Sequence, residues 1–134
     1  RSLTAAGTIP ARVLAPDPTW TATLADPNSA SVVLAVRYGR VRFLLTGDAE
    51  ADQERWLLAR ARRDPALAEA LRADVLKVAH HGSSTSTLPE FVAAVRPRVA
   101  LVSVGAGNRY GHPSSAVVGR LSRAGAEVLR TDRL

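Results

Sequence analysis

Every histidine in this chain comes at or soon after the end of a short apolar run, and that placement constrains the fold more than any other feature. The runs at 31–38, 41–46, 75–79 and 99–104 are rich in Val and Leu and read as strands. Gly39-Arg40 separates the first two, which predicts a β-hairpin. After the hairpin the pattern turns to strand–helix alternation. A helix is expected over 49–63, with Glu50, Asp52 and Glu54 early and Arg60, Arg62 and Arg63 late, the charge order a helix dipole favours. A shorter one follows Asp64-Pro65 and runs to Arg72. Pro89 opens a third in the favourable first position, ending before Pro97. Ser114 or Ser115 caps a fourth, which runs to about Ala124 and is stopped by Gly125. A last strand begins at 127–130. Strands joined through helices pair in parallel, so the fold class is α/β.

The first 30 residues are weakly patterned. A short strand is expected at 9–14, broken by Pro16 and Pro18, and Asp26-Pro27-Asn28 reads as a turn. No repeat or linker divides the chain, so 1–134 is read as one unit. It starts with Arg1 and contains no Met, which suggests numbering that begins inside a longer polypeptide.

Composition narrows the chemistry. At 46% hydrophobic the chain is not disordered, and no apolar run is long enough to cross a bilayer. The absence of Cys excludes disulfides, zinc ribbons and thiol nucleophiles, so any metal must be held by His and carboxylate. Such donors suit zinc, manganese or iron better than copper(I). The formal charge is +6, and residues 76–134 carry eight basic residues against three acidic ones. A surface of that sign attracts phosphate backbones or anionic lipid, although an Arg- and Ala-rich composition is also what a GC-rich genome writes. Arg109, Arg120 and Arg123 are candidate phosphate contacts. Two Trp, two Tyr and two Phe are few for a base-stacking platform.

The candidate site collects at strand ends. Asp48 follows one strand, His80 and His81 another, and His112 lies in the loop after a third. Ligands and catalytic groups gather beyond the carboxyl ends of strands in open α/β sheets. Singly, Asp48 could be a helix N-cap, the His pair an exposed loop, and His112 a turn residue. Together they offer a carboxylate able to bridge two divalent ions, an imidazole to complete one coordination shell, and another to bind phosphate or move a proton. Ser83, Ser84 and Asn108 add neutral donors. The N–H groups around Gly82 and Gly105 are open to an anion.

Several segments resemble metallo-β-lactamase-fold hydrolases of the ComEC type. Leu44-Leu45-Thr46-Gly47-Asp48 looks like the family's fourth metal motif, and Leu76 to Ser83 like the following His motif. Val102-Ser103-Val104-Gly105 with Asn108-Arg109-Tyr110-Gly111-His112-Pro113, and the tail from Gly125 to Asp132, are similar to the ComEC pattern. Asn28-Ser29-Ala30-Ser31 is a weaker match, and the resemblance covers 27–132.

The resemblance implies the C-terminal half of an αββα sandwich with a two-metal site of zinc or manganese at its edge. Asp48 would bridge the ions, and His80 or His81 would be a ligand, with His80 favoured because it leaves the strand directly. His81 and His112 would be catalytic, His112 beside the scissile phosphate. Ser83, Ser84, Asn108, Arg109 and Tyr110 would contact substrate. The implied reaction is hydrolysis of a phosphodiester, degrading the non-transported strand during uptake of single-stranded DNA. The domain would be a soluble part of a bacterial cytoplasmic-membrane protein, on a side the sequence leaves open. The family's first metal motif, HxHxDH, is absent, as is the membrane channel. The missing half of the domain and the channel are thus expected partners, and this chain alone is expected to be inactive. Two other readings remain: a free-standing phosphodiesterase resembling phosphorylcholine esterases, or a non-catalytic basic nucleic-acid-binding module.

Overall fold

A computed structural model describes residues 2–3, 9–21 and 27–133. Seven strands lie in the sheet in sequence order: β1 (Ser2–Leu3), β2 (Ala11–Ala15), β3 (Val33–Tyr38), β4 (Val41–Leu45), β5 (Val75–Lys77), β6 (Val99–Val102) and β7 (Glu127–Arg130). The first four pair antiparallel and the last four, β4 to β7, pair in parallel. The helices are α1 (Pro18–Thr21), α2 (Ala51–Ala61), α3 (Pro65–Leu71), α4 (Pro89–Val95) and α5 (Ser115–Arg123).

The α/β class read from the pattern is what the structure shows, with shorter elements. The strands predicted over 75–79 and 99–104 stop at Lys77 and Val102, because the chain turns into loops that carry polar side chains. Val78 nonetheless still donates its N–H to Leu101 O (2.8 Å). Pro18 does not merely break the early strand; it opens α1, and Trp20 stacks on Trp56 of α2 with ring centroids 4.9 Å apart. The turn expected at Asp26-Pro27-Asn28 is a 3-10 turn over Pro27–Ala30, Asp26 lying outside the described residues.

Parallel crossovers are right-handed, and strands added in one direction therefore send all their helices to the same face. Leu44, Leu76, Ala100 and Val102 point to that face and are at most 1% exposed, packed with Leu57, Leu71, Phe91, Val95, Val117 and Leu121 of the helices. Side chains alternate along strands, so the residues immediately before and after these in each strand point the other way. Leu34, Leu45, Phe43, Val75, Val99, Leu101 and Leu129 share that second face, and no helix among the described residues covers it. Leu45 and Leu101 are each 39% exposed there. The structure thus shows one layer of helices on one sheet, with an apolar face left open.

Parallel pairing also settles where the loops go. The segments after β4, β5, β6 and β7 leave from one edge, which brings residues 46–50, 78–88, 103–114 and 131–133 together.

Candidate metal and phosphoester site

Asp48, His80, His81 and His112 meet at that edge. The His81 Nε2 lies 3.5 Å from Asp48 Oδ1. The His80 ring centroid is 6.3 Å from that of His81 and 5.7 Å from that of His112. Asp48 is not the cap of α2: that helix begins at Ala51 after Glu50, and no side chain caps it. The Asp48 carboxylate instead faces Lys77, whose Nζ is 3.8 Å away and donates to Gly47 O at 2.7 Å.

The backbone that presents the two histidines is unusual. His80 and His81 have φ of 45° and 55°, and Gly82 follows at 82°. Left-handed conformations cost non-glycine residues free energy and persist only where surroundings hold them. Here His80 N–H donates to Gly47 O (3.2 Å), Ser83 N–H to His80 O (2.8 Å), and Ser114 N–H to Gly82 O (2.9 Å). Gly82 is required by packing as well as by φ, since a Cβ there would sit 2.5 Å from Pro113 Cβ. The result is a double-His turn clamped against the loop that carries His112.

His81 has a defined tautomer. Its Nδ1 is 2.6 Å from Ser103 O, a carbonyl that can only accept, so Nδ1 carries the proton. In the neutral ring Nε2 then carries a lone pair, and it lies 3.5 Å from the Asp48 Oδ1 oxygen. Two acceptors facing each other call for a proton or a cation between them. His112 is held differently. Asn108 donates from Nδ2 to His112 O (2.7 Å) and accepts the His112 N–H at Oδ1 (3.0 Å), and Tyr110 stacks on the ring at 5.9 Å. Desolvation, reinforced by the charges of His80 and His81, holds the His112 imidazole below its usual range, which favours its neutral form. Burial also lowers the Lys77 ammonium, against the pull of Asp48.

The expected substrate contacts divide. Ser84, Arg109 and Tyr110 are exposed, Tyr110 by 83%. Ser83 is buried and its Oγ is engaged with Thr85 Oγ1 (2.9 Å), and both ends of the Asn108 amide are engaged within its own loop. These two hold the loops instead of presenting free donors. Of the arginines on α5, Arg120 donates to Thr87 O, and the Arg123 guanidinium folds back beside Gly119.

Three residues near the site were not singled out from sequence. Glu50 Oε1 lies 2.9 Å from His80 Nδ1. Glu54, on the next turn, accepts the N–H groups of Thr87 and Leu88 at 2.7 Å each and so anchors the loop after the histidines. Burial pushes its carboxyl up to about 7, against the lowering effect of those N–H groups and of Arg120 and Arg55. Lys77 is the third. Both glutamates looked like ordinary N-terminal helix acids; the one available signal was Glu50 standing two residues from Asp48.

Carboxylate and imidazole are the right chemistry for a divalent cation, and His81 Nε2 faces Asp48 Oδ1 at 3.5 Å, with Lys77 Nζ 3.8 Å from the same oxygen. Yet among the described residues no group of three His, Asp or Glu side chains converges to hold one ion.

The family model of the metallo-beta-lactamase superfamily matches residues 16–106, about two thirds of the chain. The chain belongs to that superfamily, whose members generally bind divalent metals, typically zinc. Within it the sequence is of the ComEC type, as its motifs suggested. It is 40% identical to ComE operon protein 3 of Bacillus subtilis over 119 residues, 89% of this chain and 14% of that protein. It is 38% identical to Competence protein ComA of Neisseria gonorrhoeae over 107 residues (80% and 15%). It is 41% identical to Recombination protein 2 of Haemophilus influenzae over 104 residues (78% and 12%). The chain therefore spans about a seventh of the length of these relatives. No helix among the described residues is long and apolar enough to cross a membrane.

Proposed function

We propose that this chain contributes one side of a metal-dependent phosphodiesterase site that degrades DNA strands in a longer, membrane-anchored competence protein. The observation that carries the reading is the confrontation of His81 Nε2 with Asp48 Oδ1 across 3.5 Å. A divalent cation would satisfy that pair, displacing the Lys77 ammonium that lies 3.8 Å from the same oxygen, and the pair sits on the loop edge beyond the parallel strands. The geometry favours Asp48 and His81 as the metal-facing pair and leaves His80 and His112 for phosphate contact and proton movement. This exchanges the roles that the position of His80 next to its strand suggested. Zinc or manganese ions, when bound, would neutralise the charge that builds on the phosphodiester. The neutral His112 ring can accept or pass a proton near neutral pH, with Tyr110 stacked on it and Arg109 and Ser84 exposed nearby for the strand's phosphates. The remaining metal donors belong to polypeptide outside this chain, and the open apolar sheet face is where that polypeptide packs to complete an αββα sandwich.

The test is cleavage of labelled single-stranded DNA with added manganese or zinc, against an EDTA control. The complete domain should cleave, and Asp48→Ala, His81→Ala and His80→Ala should each reduce turnover by at least ~100-fold, the scale expected on losing a metal-site or proton-transfer group. Residues 1–134 alone should show little activity. Robust EDTA-sensitive turnover by 1–134 would overturn the partial-site reading, and an inert complete domain would overturn the nuclease.

A further inference from the structure

Glu50 belongs to neither of the roles above, yet it is the acid closest to His80. Its Oε1 is 2.9 Å from His80 Nδ1 and 3.4 Å from Thr85 Oγ1. Thr85 is itself fixed, because its carbonyl accepts the Ala51 N–H (3.0 Å) and its hydroxyl meets Ser83 Oγ (2.9 Å). The carboxylate therefore stands on the start of α2, braced by the loop that follows the histidines. On the other side, His80 Nδ1 is closed off from solvent, and no acceptor lies in line with it among the described residues. Glu50 is at contact distance but off the N–H axis. A small rotation of either side chain closes the bond, whereas without Glu50 that nitrogen would be buried and unsatisfied, a costly state.

We propose that Glu50 is the positioning residue of this site. It holds His80 as the Nδ1–H tautomer and fixes the ring, so that the Nε2 lone pair is left for the cleft shared with His112. A carboxylate partner on the far nitrogen sets tautomer, orientation and basicity of an imidazole at once. The chain then carries two oriented imidazoles on consecutive residues: His81 fixed by the Ser103 carbonyl and His80 by Glu50. They diverge because the left-handed turn sends their rings apart, their planes lying at 68°. The functional consequence rests on the hydrolytic reading, but the tautomer does not.

The experiment has two arms. Nitrogen-15 NMR of the imidazoles in residues 1–134 reads the His80 tautomer directly. Wild type and Glu50→Gln, which keeps an oxygen acceptor, should show Nδ1–H; Glu50→Ala should show loss of that tautomer while His81 keeps its own. An Nδ1–H tautomer of His80 that survives in Glu50→Ala, with His81 and the fold unchanged, overturns the proposal. Should Glu50→Ala fail to fold, a wild-type spectrum lacking the Nδ1–H form does the same. In the complete domain Glu50→Ala should lower kcat by ~10–100-fold with KM little changed, and Glu50→Gln should recover part of it. If the wild-type domain is inert, the nuclease reading falls, and the tautomer still decides the role of Glu50.

Discussion

Glu54 shows how a single buried acid couples a loop to pH. Its carboxyl is raised to about 7 by burial, above its unfolded value of 4.5. The folded chain therefore binds this proton more tightly than the unfolded chain does. Its share of stability is fully present below pH 4.5 and is lost as pH rises through about 7. His112 titrates in the opposite sense, since its lowered value makes its share fall as pH drops through the usual histidine range. The two are separated by substitution. Urea unfolding of wild type and Glu54→Gln across pH 5 to 8 should show a decline in midpoint with pH that is flatter in the variant, by an amount worth ~1–3 kcal/mol across the range. Equal slopes would show that Glu54 does not carry the effect. None of this was legible beforehand. In the sequence Glu54 is one of three acids at a helix start, and its selection by the Thr87 and Leu88 N–H groups depends on how the loop after β5 folds back.

At the level of elements, the order of strands and helices from residue 31 onward could be read from apolar periodicity and from Pro and Gly. What the pattern did not resolve was where strands end and what caps the helices. Asp48 and Asp64 both precede helices, and only the second is a cap. Asp64 Oδ1 accepts from Ala66 N and Leu67 N at 2.9 and 3.1 Å, with Pro65 following. Asp64→Ala should lower stability by about 1 kcal/mol, visible as a reduced melting temperature without loss of metal-dependent activity in the complete domain. Asp48→Ala should do the reverse, leaving the melting temperature nearly unchanged while abolishing activity. Similar thermal losses in both would return Asp48 to a structural role. The site residues were legible as a set because parallel strands send their following loops to one edge. Which histidine lies beside Asp48 was not, since the left-handed turn at His80 and His81 puts His81 Nε2 3.5 Å from that carboxylate.

For the whole molecule, the decisive feature is a sheet dressed on one side. The covered face is sealed to within 1% at Leu44 and Leu76, while Leu45 and Leu101 on the reverse are 39% exposed. Lys77 stands between them in register, but the exposed apolar residues to either side favour association when nothing covers them. Residues 1–134 alone should therefore self-associate in sedimentation experiments. A Leu45→Glu, Leu101→Glu double variant should be monomeric with a melting temperature close to wild type, whereas Leu44→Glu should unfold the chain. Self-association that persists in the double variant would place the contact elsewhere.

The strands lie across the sheet in the same order as along the chain, from β1 to β7. Each new strand therefore docks on the one made just before it, and no strand must be inserted between two already paired. A ribosome delivering the chain from its N-terminus could build the sheet sideways, one ribbon at a time, with few distant contacts deferred. The Asp48 loop would be laid down first, the double-His turn next and the His112 loop last. The loops carrying Asp48, His80, His81 and His112 would thus meet only once β6 and the start of α5 had emerged, so a nascent chain stalled earlier would be folded in part with that edge still unassembled.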